Sequence, residues 1–172
     1  MPRVLSHHLW FLTGYTSVPA HKLGFVEATY ANGIKHLERD EPVVIFPEGE
    51  HGNFKASTRM YKLQPFKTGF VRMALHAHAP IVPTLIIGAE ETHINLHKLE
   101  FSKYLSGLAL PLPLNVLPLP ARWKIVFLPP RFLPFHRKAM QDRELVQDLA
   151  DDIRDEMQKA LNRELRKRKR VF

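Results

Sequence analysis

The chain has 172 residues, of which 45% are hydrophobic and 24% charged, a usage that excludes disorder and collagen-like repeats and suits one domain with a sizeable core. No cysteine is present, which excludes disulfides and thiolate metal centres and leaves the redox compartment open. The formal charge is +8, and most of the surplus lies at the C-terminus, where Arg163, Arg166, Lys167, Arg168, Lys169 and Arg170 face only Glu164 within residues 163–170.

The first residues, MPRVLSHHLWFL, have one arginine, too short an apolar run and no small-residue cleavage site, so no signal peptide is expected. Leu23, Val26, Tyr30, Ile34 and Leu37 recur at three- and four-residue steps, which predicts one helix ending around Arg39. The β-branched residues Val43, Val44 and Ile45, followed by Phe46, read as a strand buried on both faces. Pro47 cannot donate to a ladder, and Gly49 allows a sharp turn, so Glu48 is lifted off the carboxyl end of that strand. Open α/β sheets bind ligands there. As a bare pattern this turn occurs in many α/β proteins.

A polar segment over 50–64 carries Lys55, Arg59 and Lys62 and reads as a substrate-facing loop. Phe66, Phe70, Met73, Ala74 and Ala77 predict a second amphipathic helix, with His76 and His78 in its last turn. IVPTLIIG at 81–88 and WKIVFL at 123–128 read as strands. Between them, 105–121 carries Pro111, Pro113, Pro118 and Pro120 and reads as an apolar loop; no stretch reaches the ~20 apolar residues of a membrane-spanning helix. From about Lys138, Val146, Leu149, Ile153, Met157 and Leu161 form a long helical stripe. Helix followed by strand, twice over, predicts an α/β fold: a single layered domain with a central, mostly parallel sheet flanked by helices and a long C-terminal helix.

The basic end at 163–172 has two readings. One is a solvated helix terminus whose cations complement the helix dipole. The other is attraction to an anionic membrane surface, worth ~1 kcal/mol per basic residue. Nucleic-acid binding is not expected, because no aromatic residue interleaves with Arg163 to Arg170 for stacking. Nor is a metal site: His93 and His97 are four apart but enclose Ile94, Asn95 and Leu96 with no carboxylate, and His76 and His78 lie on different sides of a helix.

Taken in order, these pieces resemble the glycerolipid acyltransferase family, whose members move a fatty acyl group from a thioester carrier to a glycerol or lysophospholipid hydroxyl. The strongest block is Phe46, Pro47, Glu48 and Gly49, and a second is Ile81, Val82 and Pro83. FKTGFVRMAL, from Phe66 to Leu75, is similar to the helix that links those blocks, and Gly14 to Ala20 sits where the family carries Gly-x-x-x-Val-x-Arg. The resemblance implies an acyl-CoA or acyl-ACP co-substrate, no bound cofactor, and a glycerol-phosphate or lysophospholipid acceptor. It implies a substrate-binding set of Phe46, Pro47, Glu48, Gly49, His51, Lys55, Arg59, Lys67 and Pro83. Glu48 would hold a substrate hydroxyl, and Lys55, Arg59, Lys62, Lys67 or Arg72 would meet phosphate. It also implies an enzyme of phospholipid synthesis, peripheral on the cytoplasmic side of a membrane.

Three departures stand out. Ala20 occupies a position where the family often has arginine, and Glu50 and His51 follow the glycine where it often has Thr or Val and then Arg. The family's catalytic H-x-x-x-x-D, in which the histidine is general base and the aspartate orients it, is absent. Of all the histidines only His36 meets an acid five residues on, Glu41, and that pair reads as a surface helix terminus. His7 and His8 are expected to be structural or exposed. The 172 residues are accordingly expected to be an acyltransferase domain lacking its N-terminal block, with no catalytic residue of its own. The alternative is a non-catalytic lipid- or membrane-binding protein that retains the fold.

Overall fold

A computed structural model describes residues 1–49, 52, 55–100, 109–115 and 117–168, with 96–100 and 109–113 described by their backbone alone. It comprises two compact units, Met1–Pro47 with Lys67–Ile81 and Arg131–Ala150, and Glu48–Phe66 with Val82–Pro130 and Asp151–Phe172.

In the first unit, β1 (Arg3–Ser6) lies between β2 (Phe25–Glu27) and β3 (Val43–Val44), parallel to both. Parallel neighbours need crossover connections. Helix α1 (Gly14–Lys22) lies between β1 and β2, and α2 (Tyr30–Leu37) between β2 and β3. Thr29 starts α2 by accepting the Asn32 N–H on its hydroxyl, at 3.2 Å. Ile34 of α2 then packs with Leu5 of β1 and Met73 of α3 (Gly69–Ala77), and Val26, Leu37, Val43 and Ile45 close around them. Along α3, Val71 and Leu75 are fully buried, each contributing about 1.5–3 kcal/mol of apolar transfer.

Two sequence expectations change here. The helix predicted from Leu23 begins only at Tyr30, because Phe25–Glu27 pairs with β1, and Val26 reaches the core from a strand. Leu23 is exposed. The strand at Val43 is paired over two residues only, and Phe46 beyond it is 57% exposed rather than buried.

The second unit holds two antiparallel ribbons, β4 (Thr84–Ile87) with β7 (Lys124–Phe127), and β5 (Asn95–Glu100) with β6 (Ala109–Pro113). β6 falls where an apolar loop was expected; its prolines are tolerated because a two-stranded ribbon has only edge strands. Leu85 and Ile87 of β4 pack on Ala160 and Leu161 of the C-terminal helix α4 (Arg143–Lys167), with Tyr61, Leu63, Val126 and Met157 around them. Asp142 starts α4, its Oδ1 accepting the N–H groups of Glu144 and Leu145 at 3.1 Å each. The fold is thus mixed α/β with a long C-terminal helix, as expected. Among the described residues parallel pairing is confined to β2-β1-β3, and the remaining strands pair antiparallel. Among the described residues no helix is long and apolar enough to cross a membrane.

His36 is buried rather than a surface residue, and its Nδ1 lies 2.5 Å from Glu41 Oε2, while Arg3 donates to Glu41 Oε1 at 3.1 Å. The Glu41 N–H also bonds to the His36 carbonyl at 3.1 Å. These bonds tie the end of α2 to the first residue of β1. The Arg3 and His36 hydrogen bonds hold the Glu41 carboxyl down at about 2.

A carboxyl depressed by folding stabilises the fold above its unfolded pKa, near 4.5, and loses that contribution as pH falls through about 2. Stability followed by circular dichroism should therefore drop between those values, and Glu41→Gln should flatten the drop. The β4 register has its own check. Leu85→Ala should cost about 3 kcal/mol in urea unfolding, and Ile86→Ala on the opposite, exposed face under about 1 kcal/mol.

Candidate functional site

Beyond β3 the chain turns at Pro47, Glu48 and Gly49, and Gly49 adopts φ +58, a left-handed conformation that a glycine takes without strain. The Pro47 carbonyl accepts the Lys67 N–H at 2.8 Å, which anchors the approach to α3. Glu48 belongs to the second unit, and its side chain is 17% exposed. Its Oε2 accepts the Gln64 N–H at 3.0 Å and lies 3.4 Å from Lys55 Nζ. Oε1 makes no hydrogen bond to a described residue.

Lys55 is buried, with its side chain 5% exposed. Its ammonium donates to Glu90 Oε1 at 2.9 Å and to the Lys62 carbonyl at 3.2 Å. A buried cation requires this many partners, because desolvation otherwise exceeds its Coulombic gain. Glu48 and Glu90 both lie just beyond strand ends, so Lys55 links two such turns. Glu90 Oε2 also accepts the Tyr61 N–H at 2.9 Å, and the Tyr61 hydroxyl donates to Glu91 Oε1 at 2.6 Å. Tyr61 holds φ +61, a costly conformation for a bulky residue that these bonds enforce. Burial first, and the Glu91 bond next, push the Tyr61 phenol up to about 12, so it stays a donor at neutral pH. Gln158 of α4 completes the loop's anchorage: its Nε2 donates to the Tyr61 carbonyl at 2.9 Å, and its Oε1 accepts the Leu63 N–H at 2.8 Å.

The structure therefore brings Glu48 and Lys55 together, with the Lys55 charge already held by carboxylates. Arg59 and Lys62 are exposed on the same loop, and Pro83 is buried, with its carbonyl accepting the Leu128 N–H at 2.9 Å. Phe46, Pro47 and Lys67 belong to the first unit, where Phe46 and Lys67 are exposed. His51 lies outside the described residues. Glu90, Glu91, Gln64 and Gln158 were not singled out from sequence. The one signal that could have found Glu90 and Glu91 is their place just past the end of β4, equivalent to that of Glu48 past β3.

In the basic segment Lys167 pairs with Glu164 at 2.6 Å and Arg168 pairs with Glu91, whereas Arg163 and Arg166 are exposed. Lys169 to Phe172 lie outside the described residues. No group of three or more metal-ligating side chains occurs among the described residues.

Replacing Lys55 by Met would strand the Glu48 and Glu90 carboxylates. It should lower the unfolding free energy by about 3 kcal/mol, measured in urea. An exposed control, Arg59→Met, should change it by less than about 0.5 kcal/mol.

A family model described as Acyltransferase matches residues 8–87, a span that begins at His8 and ends with β4. Uncharacterized proteins of Mycobacterium tuberculosis and Mycobacterium leprae are 33% and 32% identical over 99% and 88% of this chain, covering 51% and 44% of their own lengths. A 1-acyl-sn-glycerol-3-phosphate acyltransferase of Limnanthes douglasii is 31% identical over 65% of this chain and 38% of its own. The chain thus spans about half the length, or less, of the curated relatives it matches. No solved structure matches. The Phe46–Gly49 turn, with Glu48 fixed at a strand end, falls inside the matched span, and over that span the chain is similar to the glycerolipid acyltransferases.

Proposed function

We propose that this chain is the acceptor-binding part of an enzyme of glycerolipid synthesis. The enzyme moves a fatty acyl group from acyl-CoA or acyl-ACP to the hydroxyl of glycerol phosphate or a lysophospholipid, at the cytoplasmic surface of an anionic membrane. The observation that carries this reading is the Glu48 carboxylate, immobilised through Oε2 by Gln64 and Lys55 while Oε1 has no described partner. An acceptor hydroxyl donating to Oε1 is held in one place before the chemistry begins, and such positioning lowers the barrier without any change in the carboxylate. Arg59 and Lys62, exposed on the loop that Glu48 anchors, are the cations offered to a phosphate.

Transfer then needs a base to take the hydroxyl proton as the oxygen attacks the thioester carbonyl and the thiol leaves. No histidine among the 172 residues heads an H-x-x-x-x-D, so the reading places the base outside them. His36, whose Nδ1 is bonded to Glu41, serves the α2–β1 junction instead. Exposed Arg163 and Arg166 add the cationic attraction to anionic lipid.

The test is an acyl-transfer assay on the full gene product, with labelled acyl-CoA or acyl-ACP offered to glycerol 3-phosphate and to lysophosphatidate in separate reactions. Transfer is expected to at least one acceptor. Glu48→Gln, which keeps an acceptor for the Gln64 N–H, should lower kcat/KM by about 100-fold. Absence of transfer from either donor, with retention on anionic liposomes, would establish the other reading, a lipid-binding protein that keeps the fold without the chemistry.

A further inference from the structure

A cavity lies within the second unit, away from the Glu48 turn in sequence. Its volume is about 490 Å³, within the range of small-molecule sites, and Ile87, Arg122, Trp123, Lys124, Glu164, Lys167 and Arg168 line it. Ile87 is fully buried, whereas Trp123 is 61% exposed, so the indole offers a face to a ligand.

Charge is unbalanced there. Lys124 and Lys167 share one carboxylate, Glu164, each at 2.6 Å, and these two bonds, Lys124 first, hold the Glu164 carboxyl near 2, so it is ionised. Arg168 is neutralised by Glu91 and fixed further by donating to the Arg122 carbonyl at 3.1 Å. The Arg122 guanidinium itself is exposed and makes no ion pair among the described residues. Four cations thus stand against two carboxylates.

A surplus of positive charge alone would suit any anion. The volume is far more than one phosphate fills, and the indole adds a flat apolar wall. Together they select a ligand that carries both a planar aromatic ring and phosphates. A base stacks on an aromatic side chain through its π-face, and arginine pairs with phosphate through two parallel hydrogen bonds. An acyl carrier protein offers no such group, whereas coenzyme A carries a phosphorylated adenosine.

We propose that this cavity binds the nucleotide end of the acyl donor, adenine stacking on Trp123 and phosphate pairing with Arg122 and Lys167. This rests on the acyltransferase reading for the identity of the ligand and adds that the donor is acyl-CoA rather than acyl-ACP. Binding is salt-sensitive, since charge supplies much of it.

Adenosine 3′,5′-bisphosphate is the probe, titrated against the full chain carrying Trp10→Phe so that Trp123 is the single indole. Saturable quenching of its fluorescence, weakened by added salt, is expected. In calorimetry Trp123→Ala should weaken binding by about tenfold and Trp123→Phe by much less, because a phenyl ring still stacks. Arg122→Ala should weaken it several-fold, with Arg122→Lys intermediate. Three results would each overturn the site: no binding, equal affinity for inorganic phosphate, or binding untouched by Trp123→Ala. The two readings fail separately. Nucleotide binding without acyl transfer from either donor removes the acyltransferase reading and leaves the site, whereas transfer from acyl-ACP without nucleotide binding removes the site alone.

Discussion

Two adjacent carboxylates past the end of β4 organise the second unit. Glu90 gathers the Lys55 ammonium and the Tyr61 N–H, and Glu91 gathers the Tyr61 hydroxyl and the Arg168 guanidinium. Every one of these bonds joins segments distant in sequence. The loop over 55–64 packs Tyr61 and Leu63 on the apolar cluster of this unit, and polar bonds to Glu90, Glu91 and Gln158 fix the rest of its position. Loss of one partner would leave a charge without compensation in a partly dry site, which costs more than the bond contributes when made.

The same bonds extend to Glu48, whose side chain is 17% exposed. Its Oε2 is bound to a loop that is itself held by Glu90, Glu91 and Gln158. One oxygen of the carboxylate is therefore held by groups that are themselves held. The Lys55 cation serves this arrangement, paired with Glu48 and Glu90.

The first unit uses the same device on a smaller scale. Glu41 holds both Arg3 and His36, so the end of α2 and the start of β1 are joined by one ionised group. The spacing of His36 and Glu41 looks like a catalytic pair when written as a string. In the structure their side chains meet, but they do so at a junction where a backbone bond from Glu41 to His36 closes the same turn.

Local patterns in the sequence determined much of the fold. The apolar stripe of α4 and the face of α3 were legible because a helix must bury one side, and β4 and β7 because β-branched runs suit a pleated surface. The order of the Gly14, Phe46, Phe66 and Ile81 blocks carried the resemblance to the acyltransferases, and Pro47, Glu48 and Gly49 located the turn. Only the tertiary structure decided that Phe25–Glu27 is a strand, because Val26 fits a helical period as well as it fits a neighbour's ladder. Only the tertiary structure assigned Lys55 to Glu48 and Glu90, made His36 buried, and joined Trp123 to the cations at the end of α4. The physical reason is common to all of these. Periodicity is a property of neighbours along the chain, whereas the partner that satisfies a buried charge, or the wall that completes a cavity, comes from a residue whose distance in sequence carries no signal.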